Sequence, residues 1–198
     1  MNRRTSALDR FRPGQRRAPR HLLALDLETT GLDPERAEIL AIGTVPVVDG
    51  AVRIGAATST LVRPGLRSAV EGIVAHHLLP SDVLSAPAPA DVLPALLDAV
   101  TDAEALLVHH AALDVRVLER ACAATGLRWP SPRVVDTIEL IGRVRRRQRA
   151  TGSGRRLPRD LAGARQAVGL PPHQAHDAAA DAIATAELYL ALRAQLGG

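Results

Sequence analysis

The chain has 198 residues, 46% of them apolar and 23% charged, with a formal net charge of +4; that length supports one domain with a sizeable core and leaves too little for two ordinary ones. No apolar run approaches the roughly 18–20 residues of a membrane span, and the Arg-rich start leads into a stretch that acquires a charge at Asp26, unlike a signal peptide, so the protein is expected to be soluble and cytoplasmic. The single cysteine, Cys122, excludes an internal disulfide and reads as a small core residue on the apolar side of a helix.

Residues 1–20 have little hydrophobic pattern, contain Pro13, Gly14 and Pro19, and read as a disordered basic extension before a domain spanning 21–198. From His21 to Glu28 the pattern is a strand: Leu23, Leu25 and Leu27 point one way, and Leu22, Ala24, Asp26 and Glu28 the other. After the turn-like Thr30-Gly31-Leu32-Asp33-Pro34, Glu38 to Val48 is a second strand. Asp49-Gly50 turns it into a third ending near Val62, which completes an antiparallel meander. Helices are expected over Ser68–His76 and Ala90–Val100, then a buried strand over Ala105–His109 leading to a helix that starts near Asp114 and stops at Gly126. A short strand at Val134 and Val135 precedes a helical stretch after Asp136. Residues 143–156, rich in Arg and Gly, read as an exposed loop, and two helices, Pro158–Val168 and Asp177–Gln195, finish the chain.

Every basic residue is Arg, concentrated in residues 1–20 and again from Arg143 to Arg159. Each cluster is either a solvated segment or a surface that binds a polyanion through phosphate contacts, and composition does not choose between them.

Four acidic positions and one histidine stand out only as a set. Asp26 and Glu28 share a strand face, and Asp114 alone would pass for a helix N-cap. Asp181 has the helical neighbours Ala178, Ala184, Thr185 and Leu188, a small and largely apolar face that should pack inward. A buried carboxylate needs a partner, and the sequence offers no nearby Arg before Arg193, so a cation is the natural alternative. Carboxylate ligands suit Mg²⁺ or Mn²⁺ better than zinc. Two such ions about 4 Å apart serve phosphodiester hydrolysis.

The chain resembles the DEDD exonuclease superfamily, specifically its DEDDh branch, which includes the proofreading epsilon subunit of bacterial DNA polymerase III. The resemblance spans most of residues 21–192. It rests on Leu25-Asp26-Leu27-Glu28-Thr29-Thr30-Gly31-Leu32-Asp33-Pro34 continuing into Ile39-Leu40-Ala41-Ile42-Gly43, on Val108-His109-His110-Ala111-Ala112-Leu113-Asp114, and on His176 followed five residues later by Asp181. His110 and Leu113 depart from the usual Asn and Phe, and His77 from a usual Gly.

The resemblance implies a ribonuclease-H-like α/β fold, a mixed central sheet flanked by helices. It implies that Asp26, Glu28, Asp114 and Asp181 hold two divalent cations, Mg²⁺ or Mn²⁺, and that His176 is the general base, a role suited to an imidazole. Thr29, Thr30 and Gly31 would let the backbone approach a terminal nucleotide, Leu32 would wedge against the terminal base, and His76 and His110 would contact substrate. His173, eight residues before Asp181, does not match the motif. The expected activity is 3′→5′ exonucleolytic release of nucleoside 5′-monophosphates, with single-stranded DNA as the leading substrate and no membrane partner. An oligoribonuclease-like enzyme and a non-catalytic nucleic-acid-binding module are the alternatives. With only Phe11, Trp129 and Tyr189 as aromatics, binding by base stacking should be slight and salt dependence strong. The chain reads as a stand-alone nuclease, and association with a polymerase or repair protein is not legible.

Overall fold

The computed structural model describes residues 18–65, 80–152 and 157–197. The apolar alternation of the first strand organises it. β1 (His21–Thr29) lies between β2 (Ile39–Val48), antiparallel to it, and β5 (Ala105–Val108), parallel to it. β3 (Ala51–Val52) and β4 (Thr58–Leu61) both pair with β2, and β6 (Val134–Asp136) pairs in parallel with β5. The sheet is therefore mixed, in the order β3-β2-β1-β5-β6.

Helices cover both faces. On one side Leu23, Leu25 and Leu27 pack with α2 (Pro89–Asp102) and α3 (Ala111–Ala124) through Leu93, Leu96, Val117 and Leu118, and Cys122 is fully buried there as a free thiol. On the other, Leu22, Ala24 and Val45 pack with α4 (Thr137–Thr151), α5 (Leu161–Ala167) and α6 (Ala178–Leu196). The parallel strands β1, β5 and β6 end on the same edge, where loops and helix starts gather side chains over the sheet. No helix among the described residues is long and apolar enough to cross a membrane.

Several expectations are corrected. The third strand is split: β3 ends at Val52, and a 3-10 turn at Ile54–Ala56 separates it from β4. A short helix α1 (Pro80–Ser85) was not anticipated. Residues 143–151, read as loop, continue α4, because Leu140, Ile141 and Val144 keep one face buried and Arg is a good helix former; Gly152, left-handed at φ 65°, ends it. Residues 153–156, the expected helix over 68–76 and residues 1–17 lie outside the described residues. Arg20, assigned to the arm, already belongs to the fold: its guanidinium meets Asp49 at 2.6 Å and its N–H donates to Glu104.

Candidate active site

Asp26 and Glu28 occur two residues apart on β1, so both rise from the face that packs against α6. Opposite Asp26 on β2 stands Gly43. A Cβ there would overlap the backbone of Ala178, so the bare glycine is what lets the first turn of α6 lie against the sheet. That approach delivers Asp181, in the same first turn, to the strand carboxylates: one oxygen from each of Asp26, Glu28 and Asp181 lies within 4.8 Å of the others. Asp114, in the first turn of α3, stands outside this close trio but near enough for its charge to act on Asp26. It is 5% exposed, and its Oδ2 is buried without a hydrogen-bond partner.

Burial is the first cause that holds the Asp26 and Asp114 carboxyls well above the usual range. Repulsion by Asp114, Asp181 and Glu28 adds to it for Asp26, and by Asp136 and Glu28 for Asp114. Asp181 is also raised by burial, against the opposing pull of the His176 N–H and the His173 ring. A cluster of oxygens only, with one buried oxygen unsatisfied and the charges raising one another, is what a hard divalent cation would relieve. The residues therefore fit such an ion.

The histidines are arranged differently from the expectation. The ring that meets Asp181 belongs to His173, with Nε2 2.7 Å from Oδ1, and its side chain is 10% exposed. His176 contributes its backbone N–H to Oδ2 at 2.9 Å, while the residue is exposed and left-handed at φ 64°. Sequence spacing had set His173 aside; only the path of the loop between α5 and α6 returns it to Asp181.

Asp136 was also missed. At the end of β6 its carboxylate accepts from the N–H groups of His110, Ala111 and Ile138, at 3.1, 3.0 and 2.8 Å, and so caps the starts of both α3 and α4. Its place beside β5 is a long-range pairing that no local pattern announces. His110, in the position where the family has Asn, is left-handed at φ 85°, a conformation in which Asn is common. With Asp114 in the first turn, α3 begins at Ala111, three residues ahead of the expected start. His109 donates to or accepts from Thr137 Oγ1 at 2.6 Å, and burial pulls its pKa down. His109, His110, Ile138 and Arg159 line a cleft of about 500 Å³.

Beyond β1 the chain turns sharply. Thr29 Oγ1 donates to the Gly31 carbonyl, and Thr30 is bonded to Glu38 through both backbone and hydroxyl. Space around Gly31 is open, and Leu32 is 86% exposed, an unusual position for a large apolar side chain. His76 lies outside the described residues.

Residues 23–189 match the family model RNase_T, described as exonuclease. The chain is 30% identical over 171 residues to a DNA polymerase III subunit epsilon-like protein of Rhodobacter capsulatus, covering 86% of this chain and 23% of that protein. It is 29% identical over 174 residues to a PolC-type DNA polymerase III of Thermotoga petrophila, covering 85% and 11%. The chain thus spans about a quarter or less of these relatives. Among solved structures, E. coli exonuclease I with a dT13 oligonucleotide superposes with a TM-score of 0.72 at 18% identity, over 88% of this chain and 41% of that one. Exonuclease X in complex with 5′ overhanging duplex DNA gives 0.64 at 24%, over 89% and 93%. These show a shared fold, the ribonuclease-H-like arrangement of a mixed sheet between helices.

Proposed function

The chain belongs to the RNase_T exonuclease family, within the DEDD superfamily, and we propose that it removes nucleotides one at a time from the 3′ end of single-stranded DNA as nucleoside 5′-monophosphates. The observation that carries this reading is the convergence of Asp26, Glu28 and Asp181 within 4.8 Å, with buried Asp114 beside them. A surface made for binding a polyanion would not gather negative charge where the phosphate must lie.

In this reading Asp26, Glu28, Asp114 and Asp181 hold two divalent cations, which when bound would activate water and neutralise charge building on the phosphate. His176, on an exposed turn tied by its own N–H to Asp181, takes the proton from the attacking water. Leu32, projecting beyond the Thr29–Gly31 turn, packs against the terminal base and makes the end of a strand the preferred substrate. His110 faces the next nucleotide across the cleft it shares with Arg159.

The test is degradation of matched 5′-labelled single-stranded DNA and RNA with Mg²⁺, with Mn²⁺ and with chelator. A ladder shortening from the 3′ end is expected with either ion. It should vanish with chelator and in Asp26→Ala. Faster loss of RNA would replace the DNA substrate with RNA, since the metal site cannot discriminate a 2′-hydroxyl. Intact strands with retained binding would sink the enzymatic reading.

Binding should depend strongly on salt. Arg143, Arg146 and Arg147 form one exposed stripe of α4, at i, i+3 and i+4. With three phosphates neutralised, affinity of the inactive Asp26→Ala protein for a single strand should fall about tenfold or more from about 50 to 200 mM salt. Fluorescence anisotropy measures it, and a flat profile would contradict the role of these arginines.

A further inference from the structure

Arg165 is 2% exposed, which is unusual for a guanidinium, since burial of its charge costs several kcal/mol unless it is well partnered. Its partners come from two places. Nη1 donates to the Ala184 carbonyl at 2.9 Å and lies 2.8 Å from Glu187 Oε2, both on α6. Nη2 donates to the Pro171 carbonyl at 3.1 Å, in the irregular strap that joins α5 to α6. The Arg165 carbonyl also receives the N–H of Leu170 at 3.0 Å. The side chain thus rivets the strap to the helix three residues past Asp181. Its Nε, buried and without a hydrogen-bond partner, adds to the cost. An apolar side chain would fill this space without that cost, so the guanidinium serves the geometry of the strap rather than the core.

The strap's next contact is with Asp181. Two residues after Pro171, His173 places Nε2 2.7 Å from Oδ1, and His176 places its N–H 2.9 Å from Oδ2. Both carboxylate oxygens are gripped from the strap, while Asp177, at its end, caps α6 through the N–H of Ala180. The carboxylate plane cannot rotate without giving up one of these bonds. Each oxygen keeps a further lone pair for a cation.

We propose that Arg165 and His173 are positioning residues for Asp181: Arg165 fixes the strap, and His173 fixes the rotation of the carboxylate that completes the trio with Asp26 and Glu28. This rests on the reading of Asp181 as a metal ligand. Hydrogen bonds of this kind to metal ligands usually matter by about 10–100-fold in affinity or activity.

The experiment measures Mn²⁺ affinity by calorimetry, and kcat and KM on a single-stranded oligonucleotide, for wild type, His173→Ala, His173→Gln and Arg165→Met. His173→Ala should weaken Mn²⁺ binding about tenfold and lower kcat by a similar factor while KM holds. His173→Gln, whose amide can still donate to Oδ1, should recover most of both. Arg165→Met should shift Mn²⁺ affinity in the same direction; should it fail to fold, the His173 pair decides. Wild-type Mn²⁺ affinity and kcat in His173→Ala would overturn the positioning role alone. A wild-type protein that binds no Mn²⁺ would overturn the metal-site reading, and this proposal with it.

Discussion

Asp114→Asn is expected to make the metal-free protein melt higher and the enzyme lose about 1,000-fold in turnover, equivalent to about 4 kcal/mol of barrier. The two effects have one cause. Asp114 is buried, its Oδ2 has no hydrogen-bond partner, and burial followed by the charges of Asp136 and Glu28 lifts its pKa well above 3.8. A carboxyl whose folded pKa exceeds its unfolded one favours the fold in its protonated form. Stability is therefore lost as pH rises from the unfolded value toward the folded one, and the whole penalty is present above it. The amide has the same shape, carries no charge and can donate to the carboxylates around it. Each kcal/mol relieved should raise the melting temperature by about 2–4 °C in a chain of this size. Asp26, raised by burial and by three neighbouring carboxylates, should add to the same pH slope.

Thermal melts from pH 4 to 8 without metal check this. Wild type should lose stability toward neutral pH and regain it with Mn²⁺, since an ion that binds only the folded state stabilises it. Asp114→Asn should show a shallower slope and a smaller gain from Mn²⁺. A variant that melts lower at pH 8 and still cleaves would mean that Asp114 is a structural acid with partners of its own.

Periodicity made part of the site readable beforehand, while the fold and the roles of Asp114 and His176 came from the resemblance. Alternation along His21–Glu28 put Asp26 and Glu28 on one face, and the small neighbours of Asp181 marked its helix face as inward; all three carboxylates come together with α6 lying on the sheet. Non-local geometry stayed hidden. Asp136 caps two helices because β6 pairs beside β5, and His173 reaches Asp181 because a strap with Pro171 and Pro172 folds back under the hold of Arg165. Neither depends on spacing along the chain. The arginines of residues 143–151 misled in the other direction: charge suggested a loop, whereas the buried face of Leu140, Ile141 and Val144 carried the helix through them.

Gly43→Ala, a single added methyl that removes no ionisable group, should approach the damage done by loss of a ligand. On β2, Gly43 pairs with Asp26, and its Cα lies beneath the first turn of α6. An added Cβ would overlap the carbonyl of Ala178 and come within 2.5 Å of Ala179 N. These are backbone atoms, which have no rotamer to escape into. Either α6 lifts from the sheet or the strands part, and both separate Asp181 from Asp26 and Glu28. Overpacking of a well-filled interior costs about 1–3 kcal/mol, and collision with backbone places this change at or above the upper end, a fall of several degrees in melting temperature. Displacement of a catalytic group by about 1 Å can cost about 100-fold in rate. The folded fraction of Gly43→Ala should therefore show weakened Mn²⁺ binding and about 100-fold lower kcat. Gly31→Ala makes the control, since a Cβ there meets nothing within 4 Å; it should melt like wild type. Equal melting and Mn²⁺ affinity for Gly43→Ala and wild type would show that α6 yields without moving Asp181, and that the close approach at Gly43 is not what holds the site together.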